Sequence, residues 1–94
     1  MKPDIPIALF RLGKIIATPN ALGTLSEGDI LIALQRHQAG DWGDVGEHDH
    51  QANNRAMREG TRLFSVYHSV AGVKFWVITE ANRSRTTVLL PQDY

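Results

Sequence analysis

The last third of the chain alternates between runs of β-branched or aromatic residues and short polar turns. Leu63–His68 and Lys74–Thr79 are two such runs, separated by a turn at Ser69–Gly72. A third run, Thr86–Leu90, is ended by Pro91. Runs of this composition bounded by turn residues are typical of strands joined antiparallel. The sequence therefore predicts a three-stranded antiparallel β-meander.

The residues before the meander carry the signals of a short N-terminal strand and two to three helices. Leu12–Ala17 is apolar and β-branched and predicts the strand, after which Thr18 is a candidate helix cap. Ser26 predicts the start of a second helix, which Gly40 stops, and Glu47–Glu59 is rich in helix formers. The predicted order is β-α-α-α-β-β-β. This is an α+β fold with one sheet packed on helices.

The second predicted helix has an apolar face that includes a histidine. The residues at helical spacing on this face are Ile30, Leu31, Leu34 and His37. We expect this face to pack on the sheet, which places His37 beside the apolar stripe.

Alternation along the meander assigns its residues to two faces. One expected face carries Phe64, Val66, Phe75, Val77, Leu89 and Thr87. The other expected face carries Ser65, Tyr67, Trp76, Ile78 and Val88. Since one face must meet the helices, the other presents Tyr67 and Trp76 beside Ser65. That surface is either a second packing surface or an exposed binding platform.

Size and charge limit the functions open to such a chain. Its 94 residues, 43% of them hydrophobic, fit a single domain over residues 1–94. Ten Lys/Arg residues balance ten Asp/Glu residues, which argues against a generic polycation that holds nucleic acid by charge alone. Residues 1–50 have four Lys/Arg against seven Asp/Glu, and residues 51–94 have six against three. An anionic partner must therefore meet a local patch.

Two further features bear on compartment and cofactor. The chain contains no cysteine, which removes disulfides, thiol catalysis and zinc-finger ligation and fits a reducing compartment. The apolar stretch Ile5–Phe10 is interrupted by Pro6 and is too short for a membrane span or a signal-peptide core. We expect a cytoplasmic protein with no membrane segment and no cofactor.

The side chains needed for metal-free RNA cleavage are present. Transesterification at a phosphate needs a base, an acid and a cation, and Glu80, His37 and Arg83 are the candidates for these catalytic roles. Tyr67 is a further proton donor. The alternative interpretation is a solvated strand end and a mobile basic loop, because most chains of this size contain such residues.

The acidic and histidine-rich stretch in the middle of the chain does not have metal-site spacing. His48 and His50 flank Asp49, but neighbours two apart on a helix point about 200° apart. The run of carboxylates from Asp41 onward also lacks the alternate spacing of a calcium loop. An exposed, polar first helical turn explains these residues more simply, and we predict no metal site.

Two loops have the chemistry of a binding surface. Gly40–Gly46 places glycines and aspartates around one tryptophan, a turn that holds a large anchor side chain. Arg83–Thr87 offers guanidinium and hydroxyl groups suited to a phosphate. The alternatives are a lid over the core and a solvated hairpin turn. The predicted binding residues are Asp41, Trp42, Asp44, Tyr67, Trp76, Arg83, Arg85, Thr86 and Thr87.

Three stretches, Leu12–Pro19, Arg36–Asp44 and Phe75–Tyr94, resemble a family of small bacterial proteins of plasmids and integrated elements. The most specific parts are the Gly-Asp-Trp-Gly-Asp loop and the Trp-Val-Ile-Thr-Glu strand. The resemblance covers nearly the whole chain and implies an origin among mobile elements, with no established activity. Helices followed by an antiparallel meander are also loosely similar to the barnase and RelE-like ribonuclease toxins.

The sequence leads to three functional hypotheses. The first is a small cytoplasmic binding or interaction protein of a bacterial mobile element, with a nucleic acid or a protein as its partner. The second is a metal-independent endoribonuclease of toxin type. The third is a structural homodimer that buries the Tyr67 and Trp76 face or extends its sheet through an edge strand.

Overall fold

A computed structural model describes residues 7–94, which form a four-stranded mixed sheet and three α-helices. In chain order the elements are β1 (Lys14–Ala17), α1 (Pro19–Thr24), α2 (Glu27–Gln38), α3 (Glu47–Glu59), β2 (Leu63–His68), β3 (Lys74–Thr79), β4 (Arg85–Leu89) and a short 3-10 helix, η1 (Pro91–Asp93). The predicted α+β class and element order are confirmed. The apolar stretch Ile5–Phe10 begins outside the described residues. None of the helices between residues 7 and 94 has the length and apolar character to cross a bilayer.

The sheet has one more strand than predicted. Its order is β1-β4-β3-β2, in which β2, β3 and β4 form the expected antiparallel meander and β1 pairs parallel with β4. The Lys14 N–H donates to the Ser84 carbonyl and the Thr18 N–H to the Val88 carbonyl, both at 3.0 Å. Without β1, β4 would leave these backbone groups unpaired, which explains why the predicted three-stranded sheet gains a fourth strand.

The predicted helix starts are confirmed by their hydrogen bonds. The Thr18 hydroxyl accepts from the Ala21 N–H at 3.1 Å at the start of α1. Ser26 and Asp29 form a reciprocal capping box at 3.0 Å in each direction at the start of α2. Gly60, at φ 72°, ends α3 in the left-handed conformation that glycine favours.

The predicted division of the meander into two faces is confirmed for β2 and β4 and wrong for β3, whose residues lie on the faces opposite to those predicted. Val66 lies opposite Trp76, and Tyr67 lies opposite Phe75. Because residues directly opposite in an antiparallel pair share a face, Tyr67 and Trp76 lie on opposite sides of the sheet. The connection Ser69–Val73 sets this register. The predicted pairing displaces β3 by one residue relative to β2.

One side of the sheet, the helix face, is covered by α1 and α2. Its strand residues are Leu63, Ser65, Tyr67, Phe75, Val77, Thr79, Thr86 and Val88. The helices contribute Ala21, Leu25, Ala33 and Leu34 to the core above it. On α2 the predicted apolar face is confirmed at Leu34 and His37, whereas Leu31 is 55% exposed.

The other side, the groove face, is only partly covered. Its strand residues are Phe64, Val66, His68, Lys74, Trp76, Ile78, Arg85, Thr87 and Leu89, with Lys14 and Ile16 from β1. Glu80, directly after β3, lies on the same side. The chain after β4 folds back over this face through η1, and α3 lies along one side of it. Between them they leave a groove across the strands.

The helix α3 and the loop before it cover the edge strand β2. The Asn53 side chain donates to the Phe64 carbonyl at 2.6 Å and accepts from the Phe64 N–H at 2.9 Å. Farther along the strand, the Val66 N–H donates to the Trp42 carbonyl at 3.1 Å, and the Asp44 N–H donates to the Val66 carbonyl at 2.7 Å. These bonds satisfy an edge that would otherwise be free to pair with another chain.

Candidate functional site

The three predicted catalytic residues do not come together. His37 is on the helix face with no exposed surface (0%), whereas Glu80 is on the groove face. Arg83 lies in the turn between β3 and β4, where its guanidinium group faces backbone carbonyls. A base, an acid and a cation must surround one phosphate to cleave it, and the sheet itself separates two of these three groups.

His37 belongs to a chain of buried hydrogen bonds that crosses the sheet. Its Nδ1 lies 2.6 Å from the Ser65 hydroxyl and its Nε2 lies 2.8 Å from the Thr79 hydroxyl. Thr79 in turn lies 2.7 Å from the Thr86 hydroxyl, which donates to the Leu12 carbonyl at 2.7 Å. We call these five groups the buried relay. It links α2, three strands and the segment before β1.

The direction of every bond in the buried relay follows from its last member. A carbonyl only accepts, so the single hydroxyl proton of Thr86 is used on Leu12, and the Thr79 hydroxyl must donate to Thr86. Thr79 then accepts from Nε2–H of His37, which makes Nδ1 the acceptor of the Ser65 proton. Burial, with a smaller contribution from the Arg83 charge, lowers the pKa of His37 to about 3. His37 is therefore neutral and has both ring nitrogens occupied within the fold.

Arg83 holds the end of α3 to the turn between β3 and β4. Its guanidinium donates to the Thr61 carbonyl at 2.6 Å and to the Ala56 carbonyl at 3.1 Å. Two further bonds reach the Glu80 and Ala81 carbonyls at 3.2 and 3.1 Å. Its predicted role at a phosphate is corrected, because the guanidinium donates to backbone carbonyls that join the end of α3 to the turn.

Three other predicted binding residues are buried in the fold. Trp42 is 3% exposed and donates from Nε1 to Asn54 at 3.1 Å. Tyr67 is 2% exposed and its hydroxyl donates to the Asp41 carbonyl at 2.6 Å. Thr86 is part of the buried relay. Each polar atom already has a partner inside the protein, which corrects their assignment to a binding surface.

The loop at 41–44 is built by an ion pair. Arg36 donates to both carboxylate oxygens of Asp41, at 2.7 and 3.2 Å, and this contact lowers the pKa of Asp41. The Arg36 guanidinium also lies 4.7 Å from the centre of the Tyr67 ring. Asp44 is exposed at the end of the loop. The loop therefore stabilises the edge of β2, and the Asp41 carboxylate is used within the fold.

The remaining predicted binding residues lie together on the groove face. They are Trp76, Arg85 and Thr87, and the predicted base Glu80 lies among them. Beside Trp76 the groove deepens into a cavity of about 370 Å³. The residues that line this cavity are Asp49, Ala52, Asn53, Arg62, Phe64, Trp76, Ile78 and Tyr94. We call it the aromatic cavity.

Three rings wall the aromatic cavity. Phe64 and Trp76 meet edge to face, with centroids 5.2 Å apart and an interplanar angle of 73°. Trp76 and Tyr94 meet in the same way at 5.7 Å and 69°. Phe64 and Trp76 are neighbours on adjacent strands, whereas Tyr94 comes from the segment after β4. Tyr94 is 71% exposed, so its side chain can be reached by a ligand.

Tyr94 is placed by its neighbour Asp93. The Asp93 carboxylate accepts from the Thr18 hydroxyl and from the Asn20 amide, both at 2.6 Å, and these bonds lower the pKa of Asp93. They attach η1 to the start of α1. On the other side, the Arg62 guanidinium donates to the Tyr94 hydroxyl at 3.1 Å. The side chain of Tyr94 is thereby held over the groove.

A row of charged residues crosses the sheet beside the aromatic cavity. Extending the strand register places Arg62, Glu80, Arg85 and Lys14 side by side on the groove face. Three cations and one carboxylate give this row a net charge of +2. Four strands about 5 Å apart make the row roughly 15 Å long. We call it the basic row.

Sequence reasoning missed Phe64, Arg62 and Tyr94 as members of one site. The register between β2 and β3 was the missing signal, because it places Phe64 and Arg62 on the side of Trp76. Asp49 was considered only as a metal ligand. Among residues 7–94, no group of three or more His, Asp or Glu side chains is arranged to hold a metal ion.

The chain was compared with known proteins at three levels. No protein family, no curated protein and no solved structure matches it. The resemblance to small proteins of plasmids and integrated elements therefore stays a prediction, and the function has to be argued from the groove face itself.

Proposed function

We propose that the chain is a binding protein that takes single-stranded nucleic acid across the groove face of its sheet. The observation that carries the proposal is the aromatic cavity beside the basic row. Aromatic side chains stack on bases, and cations pair with phosphates. Both kinds of group stand on the groove face, where Arg62 belongs to both and Trp76 lies four residues along β3 from the row, roughly 13 Å away.

The aromatic cavity favours a single strand over a duplex. In a duplex the faces of the bases are covered by their neighbours, whereas a single strand can turn one base out into a cavity. The cavity volume of about 370 Å³ lies within the range of small-ligand sites. Phe64 and Trp76 supply fixed walls, and the exposed ring of Tyr94 supplies a surface for a stacked base.

The net charge of zero fits this kind of site. Three of the ten Lys/Arg residues lie in the basic row beside a single carboxylate, so this row is locally cationic in a chain of zero net charge. Phosphate contacts from Lys14 and Arg85, the two cations of the row outside the aromatic cavity, predict a modest salt dependence, with a slope of log K against log salt of roughly −1.4 for a single strand. A generic polycation would have a much steeper slope.

A direct test is fluorescence anisotropy with a labelled single-stranded RNA and DNA of about ten nucleotides, with duplexes of the same sequence as competitors. Tyr94→Ala should weaken single-strand binding by about 1–3 kcal/mol, the usual value of one stacked base. Arg85→Ala should lower the salt slope by roughly 0.7. The matched control is Arg58→Ala, because Arg58 lies on the side of α3 opposite Asp49 by helical spacing.

Three results would contradict the proposal. One is the absence of saturable binding to either single strand at low salt, which would favour a protein partner. Another is duplex binding as tight as single-strand binding, which would argue against stacking. The third is an equal loss of affinity in Arg58→Ala and Arg85→Ala, which would show that only total charge matters.

A further inference from the structure

The aromatic cavity carries one acidic and one basic side chain besides its rings. Asp49 projects from the first turn of α3, and Arg62 precedes β2. Asn53, the other polar residue of the wall, uses both ends of its amide on the Phe64 backbone. The charged groups open to a ligand are therefore a carboxylate and a guanidinium.

Within residues 7–94, no donor forms a hydrogen bond with the Asp49 carboxylate, whose side chain is 54% exposed. Nδ1 of the exposed His48 lies 3.7 Å from it. That distance is too long for a hydrogen bond. A carboxylate in this position can accept two parallel N–H bonds from one planar group.

The Arg62 guanidinium is held in place but not saturated. It donates from Nη1 to the Tyr94 hydroxyl at 3.1 Å, and its central carbon lies 5.8 Å from the centre of the Tyr94 ring. A guanidinium has five N–H donors in a planar fork. The donors not used on Tyr94 can meet a pair of acceptors on a ligand lying in the cavity.

Guanine is the nucleobase whose edges match this pair of groups. Its Watson–Crick edge presents two adjacent donors, N1–H and the N2 amino group, which suit a carboxylate, and its O6 and N7 are a pair of acceptors for a guanidinium. Adenine and cytosine present one amino group beside an acceptor, and uracil presents one N–H between two acceptors. In each of these an acceptor lone pair would face the carboxylate.

We infer that the aromatic cavity selects guanine within a single strand, with Asp49 reading the Watson–Crick edge and Arg62 reading O6 and N7. This inference rests on the proposed binding of single strands. It adds base specificity to a surface whose stacking and phosphate contacts are sequence-tolerant.

The test measures anisotropy with an oligouridylate and with the same strand carrying one central guanine, inosine or 7-deazaguanine. The central guanine should raise affinity at least fivefold. Inosine, which lacks the N2 amino group, and 7-deazaguanine, which lacks N7, should each lose most of that gain. Asp49→Asn should bring the guanine-to-uracil ratio to within twofold of one. The control Glu47→Gln removes a carboxylate from the same helical turn and should keep the ratio.

The outcomes separate this inference from the proposed function. Binding of the oligouridylate with no preference for guanine would overturn the inference and leave single-strand binding in place. Equal gains from guanine and inosine, or a guanine preference that survives Asp49→Asn, would also overturn it. Failure to bind any of the strands would overturn the proposed function first.

Discussion

Polar groups are buried and hydrogen-bonded on one face of the sheet and exposed on the other. On the helix face, His37, Ser65 and Thr79 are fully buried and are joined in the buried relay. On the groove face, Arg62 and Arg85 are exposed beside partly buried rings. The strands β2 and β3 supply Ser65 and Thr79 to one face and Phe64 and Trp76 to the other, because successive side chains point to opposite sides.

This difference separates the polar residues that stabilise the fold from those that are accessible to a partner. Buried polar groups are tolerated when every member has a hydrogen-bond partner, and the buried relay meets that condition. The groove face exposes the Asp49 carboxylate, several cations and Tyr94, and within residues 7–94 the Asp49 carboxylate accepts no hydrogen bond. We therefore assign His37 to the fold and Trp76 to the site, although the sequence presented both as candidates for function.

The largest expected effect is a loss of folding stability at low pH, caused by His37 on the helix face. Burial lowers the pKa of His37 to about 3 from its usual 6.5, so between these values the unfolded chain binds a proton that the folded chain excludes. Stability is therefore lost as pH falls through this window, by on the order of 4 kcal/mol when pH reaches 3. Urea unfolding across the pH range measures the loss. In His37→Gln, which cannot titrate, this part of the pH dependence should disappear; an unchanged pH profile in the variant would refute the assignment.

Gly43→Ala should also strongly lower the free energy of unfolding, because it disrupts the loop that covers the edge of β2. Gly43 has φ 75°, and a Cβ there would collide with the Val66 carbonyl and the Tyr67 ring. We expect a loss of about 3 kcal/mol or more in the free energy of unfolding. Gly46→Ala is the matched control, since a Cβ at Gly46 meets open space. Similar urea midpoints for the two variants would contradict the close packing of this loop.

Two threonines on opposite faces sharpen the comparison further. Thr79→Val removes the central hydroxyl of the buried relay and leaves the Nε2–H of His37 without an acceptor, at a cost of about 2 kcal/mol. Thr87→Val makes the same chemical change on the groove face and should alter stability by no more than about 0.5 kcal/mol. Calorimetry on both variants provides the measurement. Equal losses would show that the relay contributes nothing specific.

A small effect on stability is also expected at Tyr94. The residue is 71% exposed, so Tyr94→Ala should lower the free energy of unfolding by no more than about 0.5 kcal/mol. The same variant is the one expected to weaken single-strand binding most. A large loss of stability together with normal binding would reverse the roles that we assign to the two faces.

Local features of the fold could be predicted from the sequence, and long-range ones could not. Thr18 and Ser26 were identified as caps because a cap depends on residues within one turn. The limits of β2 and β3 followed from composition and turns in the same way. Their register did not, since it depends on how the Ser69–Val73 connection closes, and a shift of one residue moved Trp76 to the other face.

The site was less predictable than the fold for the same physical reason. Trp76, Arg85 and Thr87 were predicted binding residues and lie on the groove face. The role of Tyr94 depends on Asp93 bonding to Thr18, a contact between the two ends of the described chain. The role of Arg83 depends on carbonyls at the end of α3. Neither contact leaves a signal in local sequence spacing.

The two tryptophans offer the most direct test of the central claim, because one lies on each side of the comparison. Trp76 walls the aromatic cavity, whereas Trp42 is buried and bonded to Asn54. In a titration with a guanine-containing single strand, followed by the NMR signals of the two indole N–H groups, the Trp76 signal should shift to saturation while that of Trp42 stays in place. A stationary Trp76 signal, or equal shifts of both, would contradict a binding site on the groove face.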